Sequence, residues 1–287
     1  MNYRALIQNR KSVRAFTDKY VSFEAMDQIK LYHAKSARRL LPDVKTELRL
    51  FGLDARAVLE GAAGYKQFLV GSPQYMVLLS EKHPHAAENA GFIMEDMILK
   101  LTDMGLDSCW LTFTDSEYVK TALEIDSDLD VVAIAAFGYG EKTTRRLRWN
   151  VRSMSGVDAS AQRQYFQPKL GISDLVFLEN WGSRSGVEEY IGFYDDMLWE
   201  AFYAASLSPS YLNRQPYGFL IRDGRITLVQ KPDSYTAGID AGLNLGIVLL
   251  HFSAVASHWA GEVAWRLEEG SSLPLPEGHR AVVSTAL

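Results

Sequence analysis

The chain has 287 residues, 47% of them hydrophobic and 23% charged, with a net charge of −5. That is enough for a sizeable core, or for two half-sized units sharing one. The acidic balance excludes a phosphate-backbone partner as the main ligand, because such affinity comes from clustered Lys and Arg. Cys109 alone excludes an intrachain disulfide and suits a reducing compartment. RALIQNRKSVRAF near the start is too polar for a leader, so the expected location is the cytoplasm.

Residues 3–9 and 23–40 have helical apolar spacing, with Ser22 placed to cap the second and Glu24 in its first turn. Residues 45–63 read as a further helical or irregular segment. QYMVLLSE at 74–81 reads as a buried strand, 86–104 as a helix and 131–137 as a strand. Residues 141–175 are rich in Arg, Ser and Gln and read as a linker. A similar order then returns: helix 192–206, strand 217–222, a hairpin through Asp223-Gly224, strand 226–230, helix 239–258 and strand 281–286. Asp-Gly between two β-rich runs is a strong hairpin signal.

The repetition shows in the residues as well. Ala90-Gly91 opens one apolar helical run and Ala241-Gly242 opens another, and the same spacing separates Val131-Val132 from Val282-Val283. The expected fold class is α+β: two related halves, each with long helices on a mainly antiparallel or mixed sheet. The expected boundaries are 1–150 for half one, 151–175 for a crossover and 176–287 for half two. Two related halves imply an interface where a ligand can be held by different residues from each. Residues 238–261 are apolar and long enough to span a bilayer, yet they carry Asp240, Asn244, His251 and His258, which favours a core helix.

Three strings carry candidate chemistry. In RKSVRAF, Arg10, Lys11, Ser12 and Arg14 put three cations and a hydroxyl within five positions, an arrangement suited to a phosphate or polyol, although a solvated basic helix end has the same composition. FGYGEKTTRRLRW places Arg146 and Arg148 on one side of an extended chain, either as part of an anion site or as a basic linker facing solvent. In SPSYLNRQPY, Pro209 and Pro216 fix the backbone around Asn213 and Gln215, whose amides suit the carbonyl and imide edges of a planar heterocycle. An ordinary helix-ending loop is the alternative. His83-Pro84-His85 with Glu88 reads as a solvated loop and not as a metal site, and Cys109 reads as core. GYG at 138–140 lacks the third glycine of a dinucleotide fingerprint.

Together these strings resemble the FMN-dependent nitroreductase family, in its TM nitroreductase branch of two fused halves. RKSVRAF is similar to that family's R-x-S-x-R-x-F, and PSYLNRQPYGF to its P-S-x-x-N-x-Q-P-W-x-F, with Tyr217 in place of the usual Trp. GLDSCWLTFTD followed by VVAIAAFGYG is similar to its G-L-G-x-C-W segment and alanine-rich strand. The resemblance implies FMN at the interface of two units, here an intrachain pseudo-dimer acting as a monomer, with further oligomerisation open. Arg10, Lys11, Ser12 and Arg14 would hold the phosphate side with Arg146 and Arg148. Pro209, Ser210, Tyr211, Asn213 and Gln215 would face the flavin from half two, Lys66 would reach the N1/O2 edge, and the backbone of Leu111 and Thr112 the N5/O4 edge.

Aligning Phe16 on Phe177 puts Gly171 and Leu175 where Arg10 and Arg14 stand, and SARRLLPDVK at 36–45 lacks Asn-x-Gln-Pro. These complementary losses imply one flavin per chain, with Lys169 near the degenerate second site. The implied reaction passes hydride from NAD(P)H through flavin N5 to a small acceptor such as a nitroaromatic or quinone, with no catalytic side chain, nucleic acid or membrane involved. Tyr211, Tyr217, Trp110 and Trp181 are candidate pocket walls. A flavin carrier or sensor without turnover and a degenerate structural protein are the rival readings.

Overall fold

The structure is a computed structural model that describes residues 1–66, 68–141, 147–153, 156–161, 168–193, 196–236, 238–268 and 273–286; for 147–153, 156–161, Phe193 and Asp196 it describes the backbone alone. Half one contains α1 (Tyr3–Asn9), α2 (Phe23–Lys35), β1 (Thr46–Phe51), α3 (Ala55–Leu59), β2 (Gln74–Ser80), α4 (Ala86–Asp103), β3 (Asp107–Leu111), α5 (Ser116–Ala122) and β4 (Asp130–Gly138). A hairpin of β5 (Leu147–Ser153) and β6 (Gly156–Ala161) follows, then α6 (Ile172–Leu175) and β7 (Val176–Leu178). The chain continues through α7 (Val187–Phe193), α8 (Asp196–Ser206), a 3-10 turn at Tyr211–Asn213, β8 (Tyr217–Arg222), β9 (Arg225–Gln230), α9 (Ile239–Ala260), β10 (Arg266–Leu267) and β11 (Arg280–Ala286).

Local signals placed most of these elements. The Ser22 hydroxyl accepts from the Ala25 amide at 3.3 Å, as an N-cap does. Asp223 and Gly224 both have positive φ, 50° and 67°, as a two-residue hairpin between β8 and β9 requires. Residues 45–63 depart from expectation, because Thr46–Phe51 is a strand paired with β2 from Thr46–Ser80 to Phe51–Tyr75. Leu48 and Leu50 pack against the core around α4 while Phe51 joins the core on the other face of the sheet, the period-two alternation of a strand. The expected linker also contains structure, in β5–β6 and α6, whereas the expected helix 192–206 is helical throughout its described residues.

The sheets reveal the repeat. The first has the order β1-β2-β4-β3 and is antiparallel throughout; the second has the order β10-β11-β9-β8-β7, with β7 parallel to β8. Without β7 the second order is the first again. Both sheets carry the same irregularity: the register shifts between Leu78 and Leu79, leaving Val132 of β4 unpaired, and between Ala281 and Val283, leaving Val282 of β11 unpaired. Val132 is therefore equivalent to Val282, one position off the sequence spacing.

Between the sheets α4 and α9 cross in close contact. A Cβ on Gly91 would strike the Leu243 carbonyl oxygen, and one on Gly246 would strike the Glu88 carbonyl oxygen. This reciprocity pairs Gly91 with Gly246 and Glu88 with Leu243. The sequence expectation, Gly91 with Gly242, is four residues out because the loop before α9 is longer than the loop before α4. Asn89 and Asn244 obey the same corrected register. Asn89 Oδ1 accepts from the Leu40 and Leu41 amides at 3.1 and 2.9 Å, and Asn244 Oδ1 accepts from the Tyr211 amide at 3.0 Å, so one pins the loop leading into β1 and the other the loop leading into its counterpart β8.

Helix α9 is long and apolar enough to cross a membrane by composition, and in the fold it is buried from Gly242 to Ala256. Phe252 on α9, Phe202 on α8 and Phe219 on β8 pack with ring centroids 5.1–5.6 Å apart, fixing α8 and α9 on the second sheet. Since backbone oxygen occupies the space beside Gly246, Gly246→Ala is expected to destabilise the protein by about 1–3 kcal/mol or prevent folding. Gly52→Ala, with nothing within 4 Å of the added carbon, is expected to stay near wild type. Urea midpoints for the two variants make the comparison.

Candidate functional site

A buried charge cluster lies where the halves meet. Glu95, on α4 and fully buried, accepts from Trp110 Nε1 of β3 at 2.7 Å and lies 2.9 Å from His251 Nε2 of α9. His251 Nδ1 is 3.1 Å from the Ala204 carbonyl oxygen of α8, so both ring nitrogens face acceptors. Burial alone would raise the Glu95 carboxyl, but the bond from His251, the nearby Arg10 charge and the Trp110 bond together hold it below the usual carboxylate range. Arg10 Nε stands 3.5 Å from Glu95 on a side chain only 9% exposed, and among the described residues this buried nitrogen has no hydrogen-bond partner.

Lys169, in the crossover segment, links the cluster to half two. Its ammonium donates to the Ser208 carbonyl and to Asn213 Oδ1, both at 2.7 Å. Burial first, then the Arg10 charge, push it down to about 8, with Glu95 opposing. Lys169 thus sits in the same loop system as Asn213, which corrects the expectation that it marks a separate, degenerate site. Cys109 places Arg14 in the same region: its thiol, buried and raised by that burial, feels both Arg14 and Arg10.

The loop 208–217 is held tightly. Gln215 Oε1 accepts from the Leu170 amide at 3.1 Å and its Nε2 donates to the Ser206 carbonyl at 3.0 Å, while the Ser210 hydroxyl accepts from the Gln215 amide. Asn213 Nδ2 donates to the Pro168 carbonyl at 2.8 Å. The amides of Gln215 and Asn213, expected to read a ring edge, are therefore engaged in bracing the loop against residues 168–170. Leu212, Asn213 and Gln215 have φ of 48°, 56° and 47°, and Lys66 across the cleft has 51°. Four non-glycine residues in the left-handed region, gathered at one place, represent backbone strain of the kind stored at functional sites.

Beside this loop is a cavity of about 430 Å³, within the range of ligand pockets. Half one lines it with residues 61–64, Lys66 and 112–114, and half two with Tyr211 and Asp240. Tyr65 faces Tyr211 with ring centroids 6.3 Å apart, and Lys66 Nζ lies 5.6 Å over the Tyr65 ring. The Gly64 amide donates to the Thr112 carbonyl at 2.7 Å, tying residues 61–64 to the segment after β3. Leu111 ends β3 opposite Ile134 and does not line the cavity.

Of the sequence-derived candidates, Lys66, Thr112 and Tyr211 share the cavity, and Arg10 and Asn213 meet through Lys169. Ser12 bridges to Ser108, laying its segment parallel beside β3, and Lys11 and Arg14 are exposed. Pro209 and Ser210 are half-buried at the head of the loop. Arg146 lies outside the described residues, and Arg148 is described only as a backbone position in β5. The alignment of 10–16 with 171–177 does not hold in space: the first segment runs beside β3, whereas β7 runs beside β8, the counterpart of β1. Tyr217 is buried in the core, and Trp181 packs on Phe177 and His279 at the second sheet's outer face, so neither lines the cavity.

Glu95, His251, Lys169, Tyr65 and Asp240 were not singled out from sequence as site residues. The available signal was Asp240 and His251 inside the apolar run 238–261, read there only as evidence against a membrane span. For Lys169 the folded state disfavours the ammonium, so its penalty is complete below pH 8 and lifts as pH rises toward the unfolded value near 10.5. The stability of the wild type relative to Lys169→Met is accordingly expected to rise between pH 8 and 10 in urea unfolding; a flat or falling difference would contradict the buried ammonium.

Comparison with known proteins agrees with this architecture. A family model described as "Putative TM nitroreductase" matches residues 2–169. A solved structure described as a "putative nitroreductase" from Thermotoga maritima is similar over 100% of this chain and 94% of that one, at 20% identity and a TM-score of 0.59. An FMN-dependent nitroreductase from Clostridium difficile R20291 is 19% identical over 48% of this chain and 88% of that one, with a TM-score of 0.42. No curated protein matches. The structural likenesses speak to the fold, whereas the family match takes in more than half of the sequence: the chain belongs to the TM nitroreductase family.

Proposed function

We propose that the chain is an FMN-dependent oxidoreductase with one flavin site, at the seam where Arg10 and Lys66 of half one meet Tyr211 and Asn213 of half two. The observation that carries this reading is Arg10, a nearly buried guanidinium whose Nε, 3.5 Å from Glu95, has no hydrogen-bond partner among the described residues; it neighbours Lys169, which holds the strained loop at Asn213, and that loop's Tyr211 lines a two-sided cavity. A buried donor left without a hydrogen bond is costly unless a ligand satisfies it.

The donor set fits FMN in chemical character. Arg10, Lys11, Ser12 and Arg14 give one segment three cations and a hydroxyl for a phosphate and polyol. Lys66 gives the cavity a cation suited to the anionic edge of a reduced ring, and Tyr65 and Tyr211 give it aromatic walls. Bound there, FMN would supply hydride exchange between NAD(P)H and a small acceptor such as a nitroaromatic or quinone.

The protein's own tasks are positioning and electrostatics. Glu95 anchors Arg10 and is itself fixed by His251 and Trp110. Lys169 holds Asn213 and, through Ser208, the start of the loop that carries Tyr211. The braced loop keeps Tyr211 facing Tyr65 across the cleft, where a planar acceptor can stack. The two halves act as an intrachain pseudo-dimer with a single working seam.

Fluorescence titration of flavin-free protein with FMN is expected to saturate at one equivalent per chain. Arg10→Ala is expected to weaken binding at least tenfold, the value of a charge-assisted hydrogen bond. Saturation at two equivalents, or Arg10→Ala binding as the wild type does, would overturn the single-seam reading.

A further inference from the structure

We propose that Asp240 is the proton donor of the cavity, delivering a proton to the acceptor reduced there; this rests on the oxidoreductase reading above. Asp240 is the second residue of α9 and lines the cavity opposite Lys66 and Thr112, beside Tyr211. Among the described residues its carboxyl has no hydrogen-bond or ion-pair partner, unlike the Asp and Glu side chains of the seam, which are bonded within the protein. Burial pushes it up to about 6, so that the protonated form is present near neutrality.

The surrounding groups are consistent with this role. Lys66 is the cation lining the same cavity, and Tyr65 and Tyr211 are the facing phenols. On α4, packed at the same end of α9, Glu88 lies 3.4 Å from Arg280 and 3.5 Å from His85, so it is engaged elsewhere. No other carboxyl lines the cavity among the described residues.

The proton balance of the reaction requires such a group. A quinone that takes an electron pair and one hydrogen from reduced nicotinamide becomes a hydroquinone monoanion, with one proton still missing. The O–H bond of the Asp240 carboxyl breaks as a new O–H forms on the second quinone oxygen. Asp240 is left as the carboxylate and is reloaded from water, while the nicotinamide leaves oxidised.

The test compares FMN-loaded wild type and D240N with NADH and two acceptors, a benzoquinone, which needs the proton, and ferricyanide, which does not. D240N is expected to lower the quinone-to-ferricyanide rate ratio by about 100-fold, a typical general-acid contribution. It is also expected to abolish the fall in quinone rate above pH 6. D240E carries the same comparison if D240N does not fold, with a reduced ratio that keeps its pH dependence. An independent measurement is carboxyl-carbon NMR of flavin-free protein, where the resonance missing in the variant is expected to titrate near pH 6. An unchanged ratio, or a midpoint in the ordinary carboxylate range, would overturn the assignment of Asp240. A wild type inert to both acceptors would overturn the oxidoreductase reading, and this proposal with it.

Discussion

The approach of α4 to α9 sets the dimensions of everything built around it. At Gly91 and Gly246 the backbone of one helix lies where the other would carry a side chain, so the axes come closer than any residue with a Cβ allows. That closeness places Glu95 on one helix within bonding distance of His251 on the other. It also brings the first sheet's loops, residues 61–66 and 112–114, to the same cleft as Tyr211 and Asp240.

The Glu95 cluster at this crossing is better understood as a device for geometry than as a source of stability. Removing an ion pair from water costs several kcal/mol per charge, and its mutual attraction repays this only when the remaining polar atoms are satisfied. Glu95 meets that condition through Trp110, His251 and Arg10, contributed by β3, α9 and the N-terminal segment. Arg10 and Lys169 do not meet it as well: one keeps an unbonded nitrogen and the other has its ammonium disfavoured. Excess positive charge, concentrated on the two cations nearest the seam, is what an anion-binding site needs before its ligand arrives.

The loop 208–217 shows a similar division. Its amides are directed into the protein, to residues 168–170 and to Ser206, and its strained backbone persists because those bonds over-determine it. The equivalent loop in half one is pinned by Asn89 just as this one is pinned by Asn244, but it lacks the Asn-x-Gln-Pro run and the left-handed residues. The same arrangement thus appears as scaffold in both halves and as strained loop in only one.

Local pattern was sufficient to determine the elements. Periodicity placed α1, β2, α4, β4, β8, β9 and β11 within a residue or two, Ser22 marked a helix start, and Asp-Gly marked the hairpin, because each depends on residues adjacent in the chain. The motif strings were likewise enough to indicate the family. Tertiary structure alone decided what depends on distant partners: that Thr46–Phe51 is a strand, since β2 supplies its hydrogen bonds, and that Gly91 matches Gly246, since loop lengths shift the register. It also decided that Gln215 faces inward and that Lys169, Glu95, His251 and Asp240 belong to the seam. Those roles arise from charges and cavities assembled by residues such as Glu95 and His251, 156 positions apart, and no window of sequence contains both members of such a pair.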